Sequence, residues 1–162
     1  DLAESKGGSY TASAVGEVNV VNEMKRTNAV LGGEGNGGII LPALHYGRDA
    51  LVGIALALTH LAKSGKTMSE LRAGYPQYFM AKQKIELVSG LDVDGILATI
   101  AERYSDEEIS VIDGVKITWS DRWVHLRKSN TEPIVRIYTE APSVDEATQL
   151  GRKFMDIIAS LA

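Results

Sequence analysis

Cysteine is missing from all 162 residues. That excludes a disulfide framework and any thiolate metal site, and it fits a cytoplasmic protein. No stretch is long enough to span a bilayer; the longest apolar run, Ala50–Leu58, reads instead as a buried helix. The N-terminus lacks a basic-then-apolar signal pattern, although a targeting segment could precede it. Positive charge is not in excess. The net charge of −4 argues against a general nucleic-acid surface. Internal repeats and low-complexity segments are absent too. No carboxylate set has the spacing of a Mg²⁺ cage, and Asp106-Glu107-Glu108 reads as a solvated turn between helix and strand. What remains is an ordinary globular composition, 44% hydrophobic and 23% charged, long enough for one good core or two small ones.

The chain falls into two patterns. In the first, residues 1–8 finish a helix or enter a strand. Val15–Val20 hints at extended structure, although Val20–Lys25 could open a helix. Ala29–Leu31 and Ile39–Leu41 read as short strands on either side of a glycine loop, the second stopped by Pro42. Asp49 is a good N-cap for a helix ending near Ser64, with Gly65 as its stop. Leu51, Ile54, Leu58 and Leu61 share one face of it, and the other face is rich in Ala, Val and Leu. Such a helix is expected to be buried on most sides, against a sheet whose earlier strands lie outside this chain. The apolar surface left over would make this third weakly stable alone or prone to associate. A helical turn at Met68–Ala73 follows, between Gly65 and the pair Gly74 and Pro76.

The second pattern is self-sufficient. Ala81–Leu87 is a strand. Val93, Ile96, Leu97, Ile100 and Tyr104 form a helical stripe. Ile109–Ile112 and Val115–Trp119 flank an Asp113-Gly114 turn as a hairpin. Trp123–Leu126 and Ile134–Ala141 are two more strands. Ser143-x-x-Glu146 is a capping box for a last helix with apolar positions Val144, Ala147, Leu150, Phe154, Ile157 and Leu161. Several strands and two amphipathic helices predict an α+β domain: an antiparallel sheet with both helices on one face.

Two loops carry chemistry. Arg127-Lys128-Ser129-Asn130-Thr131-Glu132-Pro133 packs a guanidinium, an ammonium, two hydroxyls and an amide between apolar strands. A phosphate dianion calls for that mixture, since Arg meets two of its oxygens with a planar fork. Hydroxyls and turn N–H groups can fill the remaining acceptor sites. The alternative is a polar hairpin loop that solubilises a turn. The other loop, Gly32 to Gly38, has five glycines in seven residues, with Glu34 and Asn36 as its only side chains. A carboxylate and an amide together offer the acceptors and donors that sugar hydroxyls require. Gly33 to Gly38 also spells G-x-G-x-x-G. A dinucleotide site would need a helix next, and Ile39-Ile40-Leu41-Pro42 is not one.

Taken together, the loops resemble those of the α-D-phosphohexomutase family of phosphoglucosamine mutases, phosphomannomutases and phosphoglucomutases. The glycine loop looks like that family's sugar-specificity loop. Arg127–Pro133 looks like its Arg-x-Ser-Asn-Thr phosphate loop, and the spacing and the segment Pro76–Lys82 also fit. The resemblance covers essentially the whole chain. It implies residues 1–66 as the end of an α/β third domain, 67–80 as a linker, and 81–162 as a complete C-terminal fourth domain. Neither the phosphoserine loop (Ser-His-Asn-Pro type) nor the magnesium loop (Asp-Gly-Asp-x-Asp-Arg) occurs here. Asp1 in place of methionine suits the end of a longer polypeptide. The catalytic serine and the Mg²⁺ would then lie upstream, with no catalytic or metal residue in these positions.

The resemblance implies Arg127, Ser129, Asn130 and Thr131 as phosphate ligands, and Glu34 and Asn36 as sugar ligands. An Arg127 contact of this kind contributes about 1.5–3 kcal/mol. Arg127 could instead form a surface salt bridge, with Glu132 as candidate partner, and Asn36 could be a left-handed turn residue. Lys128 is expected to point into solvent. Arg136 could reach the loop or face solvent from its strand. His45 either touches substrate or, the weightier reading, is structural; Arg48 is read as a helix-entry or salt-bridge residue, and His60 and His125 as structural. Two departures from the family stand out: Gly38 where a histidine is common, and Ala14 where a Thr-Lys-Val-Gly turn carries lysine. In the intact protein the implied reaction moves a phosphoryl group between O1 and O6 of a hexose or hexosamine phosphate. A fourth domain freed at Gly74 and Pro76 would close on substrate. Phosphoglucosamine mutase is the first choice, phosphomannomutase or phosphoglucomutase the runner-up, and a non-catalytic phosphosugar-binding module the alternative from another class. The partners implied are the sugar phosphate and upstream domains of the same polypeptide, with neither nucleic acid nor membrane, and this piece alone would not turn over.

Overall fold

The computed structural model describes residues 2–86, 91–129 and 132–161. The chain divides into two units, Asp1–Tyr75 and Pro76–Ala162.

The first unit begins with the single turn α1 (Leu2–Ser5) and then α2 (Glu17–Thr27). The extended reading of Val15–Val20 gives way here. Valine favours strands, but propensity is a weak preference that packing overrides. Val20, Met24 and Thr27 recur on one side of α2, and Met24 is buried against the hairpin that follows. Asn28 ends α2 in the left-handed region, its N–H donating to Met24 O. The hairpin is β1 (Gly32–Gly33) and β2 (Ile39–Ile40), paired Gly32↔Ile40 and Gly33↔Ile39. Ala29–Leu31 lies outside it, and Val30 and Leu31 are exposed. The tight turn sets the register, so pairing reaches only the glycines.

Helix α3 (Ala50–Ser64) has the caps that the residues predict: Asp49 accepts from the N–H groups of Leu51 and Val52, and Gly65 closes it at positive φ. Its burial differs from expectation. No residue of α3 is buried, and Leu51 is 77% exposed; the strand that α3 packs against within the unit, β2, is only two residues long. Helix α4 (Met68–Ala73) is held by a full capping box of Thr67 and Glu70.

The second unit builds a five-stranded antiparallel sheet from β3 (Phe79–Glu86), β4 (Glu108–Ser110), β5 (Val115–Thr118), β6 (Trp123–Lys128) and β7 (Ile134–Ala141), ordered β3-β7-β6-β5-β4. Helices α5 (Val93–Arg103) and α6 (Val144–Leu161) cover one face. Alternation explains the core. Val115, Ile117, Val124, Leu126, Val135 and Ile137 point to the helices and meet Ile96, Leu97, Ile100, Phe154 and Ile158. The buried Thr139 hydroxyl donates to Ala147 O at 2.7 Å, fastening α6 to β7. Ser143 and Glu146 cap α6 as the motif indicates.

Strand ends move from their expected places. β3 starts at Phe79 because β7 offers it eight partners, Phe79↔Ala141 through Glu86↔Ile134; Leu87 lies outside the described residues. Val111 and Ile112, both exposed, leave β4 for a four-residue connection, Val111 to Gly114, in place of a two-residue turn. β6 runs two residues further than expected, so Arg127 and Lys128 belong to a strand and not to the loop.

Candidate functional site

Pairing with β7 decides where Arg127 points. Val124 and Leu126 enter the core, so Trp123, His125 and Arg127 face the opposite, helix-free side. Arg127 stands opposite Arg136, and Arg136 opposite Lys84, so three cations form one cross-strand row. Like charges directly opposed are unfavourable unless something compensates them. Each has a carboxylate: Asp113 at 3.2 Å from Arg127, Glu132 at 2.7 Å from Arg136, Glu86 at 4.0 Å from Lys84. Arg127 is thus in a salt bridge, but with Asp113 on another hairpin; Glu132 takes Arg136. Lys128 pairs with Asp94 at 2.9 Å on an exposed surface.

The row lies beside the loop that joins β6 to β7. Ser129 N–H donates to Ile134 O at 2.9 Å, and the Ser129 hydroxyl accepts from Glu132 N–H at 3.3 Å. Those bonds close the loop's base. Asn130 and Thr131, the other two residues of the motif, lie outside the described residues. Arg136 and Lys84 are the members that local reading undervalued. Their alternation with Ile137 and Ile85 was visible, but their place beside Arg127 needs the register.

Glu34 and Asn36 share the turn between β1 and β2. Glu34 N–H donates to Gly38 O and Gly37 N–H to Glu34 O, each at 3.0 Å. Asn36 is not itself left-handed. Gly37 takes that conformation at φ 97°, while the Asn36 side-chain oxygen accepts from Gly38 N–H at 3.1 Å. Glu34 is met by Arg48 at 3.5 Å, and Arg48 in turn holds Glu17 at 2.9 Å. At Gly38, the position of the departure, a Cβ would sit 2.8 Å from Arg48 Cδ, so a side chain there would require Arg48 to shift.

His45 is engaged at both ring nitrogens. Gly47 N–H donates to Nδ1 at 3.0 Å, which leaves the proton on Nε2, 3.1 Å from Asp49. The Asp49 carboxyl is held below its ordinary value, first by the Val52 N–H and then by His45. Its depressed value means that the stabilisation is complete above the unfolded carboxylate's range and fades as pH falls through the folded value. Helical circular dichroism of the wild type should therefore lose an increment on acidification below about pH 4. That increment should be missing in Asp49→Asn, which caps without titrating; superimposable acid profiles would contradict the assignment.

Among the described residues no three His, Asp or Glu side chains gather as a cation site requires. Among the described residues no helix is long and apolar enough to cross a membrane.

Two family models together cover most of the chain. Residues 1–78 match "Phosphoglucomutase/phosphomannomutase, alpha/beta/alpha domain III", and residues 76–157 match "Phosphoglucomutase/phosphomannomutase, C-terminal domain". A phosphoglucomutase/phosphomannomutase of Thermococcus kodakarensis is 38% identical over 96% of this chain and 35% of its own. A phosphoglucosamine/phosphogalactosamine mutase of Sulfurisphaera tokodaii is 38% identical over 89% of this chain and 32% of its own. A crystal structure of a phosphoglucomutase/phosphomannomutase family protein from Burkholderia thailandensis superposes with a TM-score of 0.78 at 26% identity, covering 99% of this chain and 35% of that one. The chain therefore spans about a third of the length of the relatives it matches. Its two loops, its α+β C-terminal unit and these matches make it a member of the phosphoglucomutase/phosphomannomutase family.

Proposed function

We propose that this chain is the substrate-gripping C-terminal portion of a phosphohexomutase, and that the whole protein interconverts the 6- and 1-phosphates of a hexosamine, glucosamine first. The observation that carries this is Arg127: it sits on a paired strand, beside Arg136, where the closed base of the loop begins. A guanidinium so placed meets a phosphate with parallel N–H bonds. Ser129, Asn130 and Thr131 complete that grip by hydroxyl, amide and backbone donors. Glu34 and Asn36 take sugar hydroxyls. Remote phosphate binding energy would then position the reacting end of the sugar.

Residues 1–66 would be the end of the third domain, 67–80 the connection and 81–162 the fourth domain. The phosphoryl donor and Mg²⁺ would belong to the upstream part, in a cytoplasmic enzyme. Glucosamine is favoured by the Gly-Glu-Gly-Asn-Gly-Gly loop, and the Sulfurisphaera relative's name supports it.

A substrate panel on the polypeptide that carries this chain tests the proposal. Glucosamine, mannose and glucose phosphates are compared by kcat/KM. Glucosamine phosphate should lead, and the 162-residue chain alone should turn over none of them. A lead for mannose or glucose phosphate would overturn the sugar assignment. Binding without turnover in the whole polypeptide would overturn the enzyme.

A further inference from the structure

We propose that Asp113 is a positioning residue for Arg127, presenting its guanidinium to the phosphate; this rests on the reading of Arg127 as a phosphate ligand. The two side chains meet at 3.2 Å, each about a quarter exposed. Partial burial shields the pair from the screening that makes surface bridges weak. The turn carrying Asp113 is itself fixed to the strand carrying Arg127. Val115 pairs with Leu126, and the Asp113 carbonyl bonds His125 Nε2. Gly114, at φ 75°, lies so near that a Cβ would overlap Leu126 O and come within 3.1 Å of Arg127 Cα. One hairpin end is thus pinned by ladder, side chain and close backbone approach, and from it a carboxylate reaches the Arg127 head.

The division of acids matters. Glu132, inside the phosphate loop, serves Arg136, whereas the acid serving Arg127 comes from outside the loop. A guanidinium has five N–H donors in a rigid fork. One nitrogen on Asp113 fixes the plane and still allows others to meet a ligand. Without that anchor, Arg127 would face Arg136 with its long side chain unrestrained. Asp113 also carries a negative charge near an incoming dianion. By charge alone it would oppose binding, so orientation and charge predict opposite outcomes for its removal.

The test titrates the 162-residue chain with inorganic phosphate and with glucosamine 6-phosphate, following the Arg127 Nε–Hε signal by NMR. Asp113→Ala should weaken both ligands by about 5- to 20-fold, on the order of 1–2 kcal/mol, and should make the Arg127 head mobile. Asp113→Asn keeps an acceptor without the charge. It should stay within about threefold of wild type, as expected when a neutral acceptor replaces a charged one, with an ordered Arg127. Equal or tighter binding by Asp113→Ala would overturn the proposal, as would an equal loss in both variants. If Asp113→Ala does not fold, Asp113→Asn decides alone: wild-type affinity with an ordered head supports positioning, and a clear loss refutes it. Arg127→Ala separates the two failures. If it leaves phosphate affinity unchanged, the underlying phosphate reading falls. If it abolishes binding while the Asp113 variants behave as wild type, only the positioning role falls.

Discussion

Replacing Arg127 with alanine is expected to weaken hexose phosphate binding by about 10- to 100-fold, the loss of a charge-assisted contact of about 1.5–3 kcal/mol. Folding should change little. The substitution removes one partly buried ion pair with Asp113, but it also removes the opposition between Arg127 and Arg136. These act in opposite directions on stability. Affinity measured by calorimetry with glucosamine 6-phosphate, and stability measured by denaturation of the same samples, should therefore separate. Arg127→Lys sharpens the result. A lysine keeps the charge but not the planar fork, so its affinity should fall between wild type and Arg127→Ala. Unaltered affinity in Arg127→Ala would remove the basis for a phosphate site at this loop.

The largest stability effect should come from the other face of the same sheet. Phe154 is fully buried, its ring centroid 5.3 Å from Tyr104 and 6.4 Å from Trp119. Tyr104 and Trp119 stand edge to face at 6.1 Å, so the three rings brace one another across α5, α6 and the end of β5. Phe154→Ala would leave a cavity that the braced rings fill poorly. Such a change destabilises by about 3–5 kcal/mol, lost transfer energy plus unfilled volume. Urea unfolding followed by tryptophan fluorescence reads this as a lower midpoint at unchanged slope. A loss below about 1 kcal/mol would mean that the core closes over the gap, contrary to the close packing of such interiors.

How much of this could be read without coordinates depends on whether the cause is local. Asp49 and Gly65 bound α3, and Ser143 with Glu146 starts α6, because capping involves neighbours within one turn. The Phe154 stripe is likewise spelled by its spacing. The errors share a different cause. Val18 and Val20 suggest a strand by shape, yet the packing of Met24 under β1 makes the segment helical. Arg127 and Lys128 look like loop residues until Arg136 and Val135 offer them partners. For the candidate site, the residue types of Arg127, Ser129, Glu34 and Asn36 were legible, and their loops with them. The contacts that orient them were not: Asp113 is fourteen residues from Arg127, and Glu17 is thirty-one from Arg48. Such pairs follow from strand register and helix placement, which no short window contains.

Among the described residues, strand β3 closes one end of the sheet, with β7 as its one paired neighbour. Its helix-free face reads Met80, Lys82, Lys84, Glu86, and all four are exposed. A second chain approaching that free ladder would have to stack its own charges against these, at a spacing where repulsion and desolvation are both felt. This edge therefore carries its own guard against strand-by-strand polymerisation, and concentrated protein should resist fibre growth from it.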